Sequence, residues 1–257
     1  MPSSSSNIAT PCALILAAGV GRRLGGDTGE YAGTPKALLD FGGKSLMARH
    51  IEILRGVGID EITVVIGYEA ELMREALDAL ADGSALATVV NPDFREGSVV
   101  SMWAGRAVLQ SGRPVILMDA DVLYDRRLME RLVASRRPGC LLLDRELEPG
   151  DEPVKLCMRD GRIVDFHKRP TEPHEWHGES VGFFRFSPDV AHELAERAEA
   201  YVADRRSMEY EEPIRDMIMA STAERFGFED ISGMAWTEID FPEEIAKAMA
   251  LLPKIDA

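Results

Sequence analysis

Apolar and polar positions along this chain follow two rhythms, one for each half. From about residue 13 to residue 118, short apolar runs are separated by stretches whose apolar residues recur three and four apart. Ala13 to Leu16 reads as a strand, followed by a glycine-rich loop that runs to about Lys36. Ser45 to Leu54 has helical spacing in Leu46, Met47, Ile51 and Leu54, and stops near Gly56 and Gly58. Ile62 to Ile66 is a β-branched run, Leu72 to Leu80 a helix, and Ala87 to Val90 a strand. Val99 to Leu109 is helical and Pro114 to Met118 a strand. Strands alternating with helices in this way predict βαβ units and a mostly parallel sheet.

The second half is built from shorter pieces. Cys140 to Leu143, Val154 to Met158 and Arg162 to Phe166 read as strands, the last two joined by the hairpin signal Arg159-Asp160-Gly161. Glu179 to Phe186 is a further strand, Asp189 to Asp204 a helix, Trp236 to Ile239 a short strand, and Pro242 to Leu251 a closing helix with proline in its first turn. The expected fold is α/β: a Rossmann-like, mostly parallel mixed sheet flanked by helices, with an α+β second half on the same sheet. One domain is expected over residues 11–257, divided at about 135/136, behind a Ser-rich, frayed leader over residues 1–10.

At 257 residues, 46% hydrophobic and 28% charged, the chain has an ordinary globular composition. A formal net charge of −15 argues against a nucleic-acid or anionic-membrane partner, since both reward basic surface. A small anion is still admissible where arginines and lysines cluster locally. Cys12, Cys140 and Cys157 lie in apolar runs without metal or disulfide spacing, which suits buried thiols in a reducing compartment. Residues 12–20 lack the basic lead and cleavage region of a signal peptide, and nothing reaches transmembrane length. A cytoplasmic location follows as the expectation. No long exposed apolar stripe stands out, so a homodimer is allowed but not indicated.

The glycine-rich loop carries the first chemistry. A strand that runs directly into Gly19-Val20-Gly21 lets backbone N–H groups approach a polyphosphate, and Arg22, Arg23 and Lys36 add mobile positive charge. A dinucleotide fingerprint fails because Leu24 stands at its third glycine position. A Walker A loop fails as well, since Leu38 stands five residues ahead of Gly43-Lys44-Ser45.

Leu16-Ala17-Ala18-Gly19-x-Gly21-x-Arg23-Leu24 followed by Pro35-Lys36-Ala37-Leu38 resembles the signature of the nucleotidyltransferases that make sugar-nucleotides and CDP-alcohols. The resemblance implies that Arg23 and Lys36 are catalytic, binding a triphosphate and its transition state, and that Leu16, Ala17, Ala18, Gly19, Gly21 and Arg22 line the nucleotide. Asp119-Ala120-Asp121 resembles the acidic metal site of the family, with Asp121 as ligand; Asp240, in Trp236-Thr237-Glu238-Ile239-Asp240, falls where the family has a second Mg²⁺ ligand. Asp119 is either a strand-end cap or an accessory to that site. Mg²⁺ suits such a pair, because it takes few protein carboxylates and completes its shell with water and phosphate oxygens.

Asn91 to Met102, Glu152-Pro153-Val154-Lys155 and the Glu-Ile-Asp ending are more similar to CTP:phosphocholine and phosphonate cytidylyltransferases than to the hexose-phosphate branches. That implies CTP as donor, with Asn91, Gly97, Ser98 and Ser101 near the base, and a small phosphate- or phosphonate-bearing acceptor. Residues 11–135 become the nucleotide-binding half and 136–257 the acceptor-binding half. Lys155 and Lys168 are candidates for the acceptor's phosphate; Glu179 and the Glu209-Tyr210-Glu211-Glu212 run are candidates for an amino or quaternary head, with Tyr210 as an aromatic wall, although such a charge run also reads as a solvated face. His167, His174 and His177 lack metal spacing. The expected activity is Mg²⁺-dependent transfer of CMP from CTP to a phospho-alcohol or phosphonate with release of pyrophosphate. The alternatives are a sugar-1-phosphate or molybdopterin-type nucleotidyltransferase using another NTP, and a nucleotide-binding module without catalysis.

Overall fold

Valine, isoleucine and leucine fill the central strands because both faces of the sheet are covered. The structure, a computed structural model, describes residues 10–25, 31–81, 85–146, 153–222 and 224–256. The leader expected over residues 1–10 therefore lies outside the described residues except for Thr10, as do Glu152 and part of the loop ahead of Lys36.

Strands β1 (Cys12–Ala17), β2 (Ile62–Ile66), β3 (Leu86–Val90) and β4 (Val115–Asp119) lie parallel in the order β4-β1-β2-β3. Helices α1 (Leu46–Gly56) and α2 (Ala70–Leu80) make the crossovers, and Ser45 caps α1 by accepting the Ala48 N–H at 3.2 Å. The chain leaves β1 towards β2 on one side and returns as β4 on the other. The carboxyl ends of β1 and β4 therefore form a switch-point crevice, the usual ligand position in such sheets. The helix expected over 99–109 is broken into α3 (Ser98–Ala104) and α4 (Arg106–Leu109) at Gly105. A Cβ on Gly105 would lie 2.6 Å from Leu14 Cδ1, so the chain bends there to pack on β1.

The second half extends the same sheet. Strand β6 (Gly139–Asp144) and the 11-residue β9 (Trp176–Phe186) are antiparallel, and β9 lies between β6 and β4. The hairpin β7 (Lys155–Arg159) and β8 (Arg162–His167) adds to the start of β9. Its turn has φ of 50° at Asp160 and 71° at Gly161, the left-handed pair that this dipeptide favours. Four elements not foreseen complete the chain: β5 (Val122–Tyr124), α5 (Arg126–Ala134), α7 (Glu211–Ala220) and β10 (Phe226–Asp230), which pairs in parallel with β6. Helix α6 (Pro188–Asp204), strand β11 (Trp236–Glu238) and helix α8 (Pro242–Ile255) fall where the spacing predicts them. β11 pairs with β5 in a separate antiparallel ribbon. Alternate residues of β1 and β4 feed apolar cores on the two faces: Leu14 and Leu117 on one, Ile15 and Ile116 on the other. No described helix is long and apolar enough to cross a membrane.

One buried ion pair fixes α7 against the hairpin. Asp165 on β8 is fully buried and accepts Arg215 Nε at 2.7 Å and the N–H groups of Thr171 and Glu172 at 2.8 and 3.1 Å. Burial raises the Asp165 carboxyl's pKa, but these donors outweigh it and hold the value below the ordinary one. A folded-state pKa below the unfolded one stabilises the fold above the unfolded value, and that contribution is lost as pH falls through the folded value. Asp165→Ala is expected to cost about 3 kcal/mol in denaturant melts at neutral pH, and its deficit should shrink in acid.

Candidate active site

Glycine geometry shapes the loop after β1. Gly21 has φ 65°, and a Cβ on it would stand 3.0 Å from Lys36 Cγ, so the backbone and the lysine stem both require glycine there. Gly19 has open space where its Cβ would be. Short 3₁₀ turns at Arg22–Leu24 and Lys36–Leu38 carry the two basic side chains to the carboxyl ends of β1 and β4.

Asp121 stands just beyond β4, and the β5–β11 ribbon brings the far end of the chain to it. The Ile239 N–H donates to the Asp121 carbonyl at 2.9 Å, which seats Glu238 and Asp240 beside Asp121. Carboxylate oxygens of Asp121, Glu238 and Asp240 lie within 4.8 Å of one another. Lys36 Nζ donates to Asp121 Oδ2 at 3.0 Å and, closer still, to Asp240 Oδ1. Arg23 Nη2 reaches Asp240 Oδ2 at 2.6 Å and lies over the Phe241 ring. Burial works against the Lys36 ammonium, but Asp121 and Asp240 outweigh it and hold its pKa above the ordinary value. Enclosure in the cleft and then the charges of Asp121 and Asp240 push the Glu238 carboxyl well up. Three converging carboxylates form an all-oxygen donor set, which suits a hard divalent cation.

Asp119 is set back from this cluster. Its Oδ2 accepts the Tyr210 hydroxyl at 2.6 Å, and its pKa is driven well up by burial and then by Asp121 and Glu211. Gly182 on β9 lies against it: with φ 75°, a Cβ there would stand 2.3 Å from Asp119 Oδ2. Behind the Asp119-Ala120-Asp121 turn, buried His50 has Nε2 3.0 Å from the Ala120 carbonyl, so Nε2 carries the proton.

Two cavities meet at Arg23, Asp119 and Asp240. The smaller, about 350 Å³, is lined by Leu16, Ala18, Gly19, Gly21, Arg22 and Lys36 on one side and by Ser98 and Ser101 on the other. Ala17 faces a narrow crevice beneath the loop with Lys36 and Ala120. Asn91 is buried and used internally: Nδ2 donates to Ser101 Oγ at 3.0 Å and Oδ1 accepts the Asp93 N–H at 2.9 Å. Gly97 permits close packing, since a Cβ there would lie 2.1 Å from the Met208 carbonyl oxygen. The larger cavity, about 450 Å³, is lined by Lys168, Glu179 and Tyr210, with Glu211, Asp144 and Trp236 among the other walls. Lys155 is not among the residues lining it; its Nζ donates to the Lys168 carbonyl at 3.0 Å and so braces the segment that carries Lys168. Trp103 stacks with Arg106 and Trp176 with Arg145, while His174 and His177 contact each other.

Glu238 and His50 are site residues that sequence reasoning passed over. Glu238-Ile239-Asp240 repeats the acid-x-acid pattern of Asp119-Ala120-Asp121, and positions two apart on extended chain share a side, so that signal was present. Glu211 lay within the Glu209-Tyr210-Glu211-Glu212 run, a candidate ammonium partner that also reads as solvated surface, and the place of His50 depends on tertiary packing.

An α/β sheet with a glycine loop, a basic pair and a carboxylate cluster at its switch point defines a nucleoside-triphosphate-handling fold. The chain belongs to the MobA-like NTP transferase domain family, whose model matches residues 13–163. It is 31% identical over 155 residues to the CMP-5′-(3-aminopropyl)phosphonate synthase of Streptomyces rubellomurinus, covering 60% of this chain and 24% of that protein. It is 28% identical over 247 residues to a bifunctional IPC transferase and DIPP synthase of Thermococcus kodakarensis, covering 93% of this chain and 50% of that one. The chain thus spans half or less of the length of these relatives. The CTP:phosphocholine cytidylyltransferase from Streptococcus pneumoniae has the same fold, with a TM-score of 0.75 at 22% identity over 95% of this chain and 100% of that chain.

Gly182→Ala is expected to cost about 2–4 kcal/mol, from the left-handed backbone and the overlap with Asp119. Asp119→Ala in the same chain should recover part of that loss in thermal melts; a neutral Gly182→Ala would contradict the packing described.

Proposed function

We propose that this chain is a Mg²⁺-dependent cytidylyltransferase that transfers CMP from CTP to a small phosphate- or phosphonate-bearing acceptor. The observation that carries this reading is the meeting of two cavities at Arg23 and Asp240, over a lysine–carboxylate cluster. A donor in the glycine-loop cavity and an acceptor in the larger one would meet there. The names of the relatives favour cytidine: one is a CMP-phosphonate synthase, and the fold is shared with a CTP-using enzyme.

In this reading Gly19 and Gly21 cradle the triphosphate, and Ser98 and Ser101 lie on the wall that faces the base. Arg23 lines both cavities and neutralises charge at the α-phosphate, while Lys36 follows the charge that builds towards the leaving pyrophosphate. Mg²⁺ held by Asp121 and Asp240, with Glu238 as third donor, would supply further neutralisation at the phosphate oxygens. The acceptor oxygen is already ionised at neutral pH, so the chain need only orient it, with Lys168 as its partner. Glu211 is the fitting partner for an amino group on the acceptor. Its Oε2 is buried without a hydrogen-bond partner, and burial pushes its pKa up to about 7.

Pyrophosphate release assayed with CTP, UTP, GTP and dTTP against phosphocholine, 2-aminoethylphosphonate, inositol phosphate, glycerol phosphate and a hexose 1-phosphate tests the assignment. CTP-specific, Mg²⁺-dependent turnover is expected, and preference for another NTP or no turnover with any pair would refute it. Lys36→Ala should lower kcat on the order of a hundredfold or more. Glu211→Gln should raise KM for an amine-bearing acceptor about tenfold while leaving KM for CTP and for amine-free acceptors unchanged.

A further inference from the structure

At the end of the sheet opposite the carboxylates, a cavity of about 500 Å³ is lined by Arg136, Arg137, Arg185 and Arg225, together with Ser187 and Asp189. It lies at the amino ends of β4 and β6, roughly 15 Å along β4 from Asp119. In a chain of formal charge −15, Arg136, Arg137 and Arg185 against one exposed aspartate, with Arg225 already paired to Glu193, is a local reversal of sign.

Arg185 is the decisive residue. It is only 9% exposed, its Nε is buried without a partner, and its Nη1 donates to the Arg137 carbonyl at 3.2 Å. Burial lowers its pKa, and among the described residues only the Cys140 thiol, not a carboxylate, works against that loss. A buried guanidinium with no counter-charge among the described residues is costly, and a small oxyanion is the acceptor that suits it. The surroundings suit one. Arg225 is tied to Glu193, and the Arg137 stem is seated against Gly227, where a Cβ would lie 2.4 Å from Arg137 Cδ. Helix α6, 17 residues long, opens here with Ser187 as N-cap and Pro188 in its first turn, so its positive end faces the same space. Several guanidinium forks around one point match the oxygens of a phosphate group.

We infer that this cavity binds a small phosphate-class oxyanion, held by Arg185 and the exposed Arg136 and Arg137 at the amino end of α6. The site is independent of the nucleotide reading, because it shares no lining residue with either active-site cavity.

Thermal melting and calorimetric titration of the full chain with inorganic phosphate and, separately, glycerol phosphate test the site, with sodium chloride at matched ionic strength as control. The midpoint should rise with phosphate in the wild type and still rise in Arg23→Ala/Lys36→Ala, which removes the active-site cations. Arg136→Gln/Arg137→Gln, at two exposed positions, should weaken binding about tenfold or more. Arg185→Met should abolish it and raise the midpoint in phosphate-free buffer, because an uncompensated buried charge is gone. The two titrants separate a free ion from an esterified phosphate, and binding of either supports the site. A phosphate response lost in Arg23→Ala/Lys36→Ala, or retained in both arginine variants, would overturn the inference, as would no response in any chain.

Discussion

The Lys36 ammonium between Asp121 and Asp240 is the contact on which the site depends. Three carboxylates drawn within a few ångströms repel one another, and their assembly from both ends of the chain would oppose folding without a cation among them. Lys36 supplies that cation from the β1 loop, and Arg23 adds a second on the outer side of Asp240. The loop glycine, the 3₁₀ turn at Lys36 and the β5–β11 ribbon are the local means to this one electrostatic end. Each has a steric reason visible in the backbone: Gly21 leaves room for the lysine stem, and the Ile239–Asp121 hydrogen bond sets the register of the ribbon.

The sheet divides the labour in a way that follows from chain direction. Parallel strands β1 to β4 send their carboxyl ends, with the glycine loop and Asp121, to one edge. Antiparallel β9, running back between β4 and β6, contributes its middle residues, Glu179 to Gly182, to the larger cavity of the same crevice. Gly182 is where the two contributions touch, pressed against Asp119. Helix α7, anchored by the buried Asp165–Arg215 pair, closes the arrangement by carrying Glu211 at its start, directly after Tyr210.

Much of this was legible in the sequence, for identifiable reasons. The parallel strands are short apolar runs, β-branched above all in β2 and β3, and the basic loop positions and the two aspartates stand beside strand ends. The Asp160-Gly161 turn was readable because few residue pairs accept φ > 0 twice in succession. What escaped was set by partners distant in sequence. β5 is three residues long and becomes a strand only by pairing with β11. α5 hides Leu128, Met129 and Leu132 among Arg126, Arg127, Glu130 and Arg131, and α7 begins in an acidic run with Pro213 inside it. The break at Gly105 depends on Leu14, about ninety positions away. Lys155 illustrates the same limit at the site: the family resemblance suggested a ligand contact, and packing turned its ammonium to the backbone at Lys168.

The internal cation also sets the thermodynamics of anything that replaces it. Because Lys36 already neutralises Asp121 and Asp240, entry of a divalent ion there would be an exchange, in which the lysine would need a new anionic partner. A polyphosphate in the adjoining cavity is such a partner. On the proposed function, metal and nucleotide would be thermodynamically linked, each raising the other's affinity by the same factor, with one side chain as the coupling element. The protein alone would hold the ion weakly and the pair together firmly, without any change in the sheet that carries them.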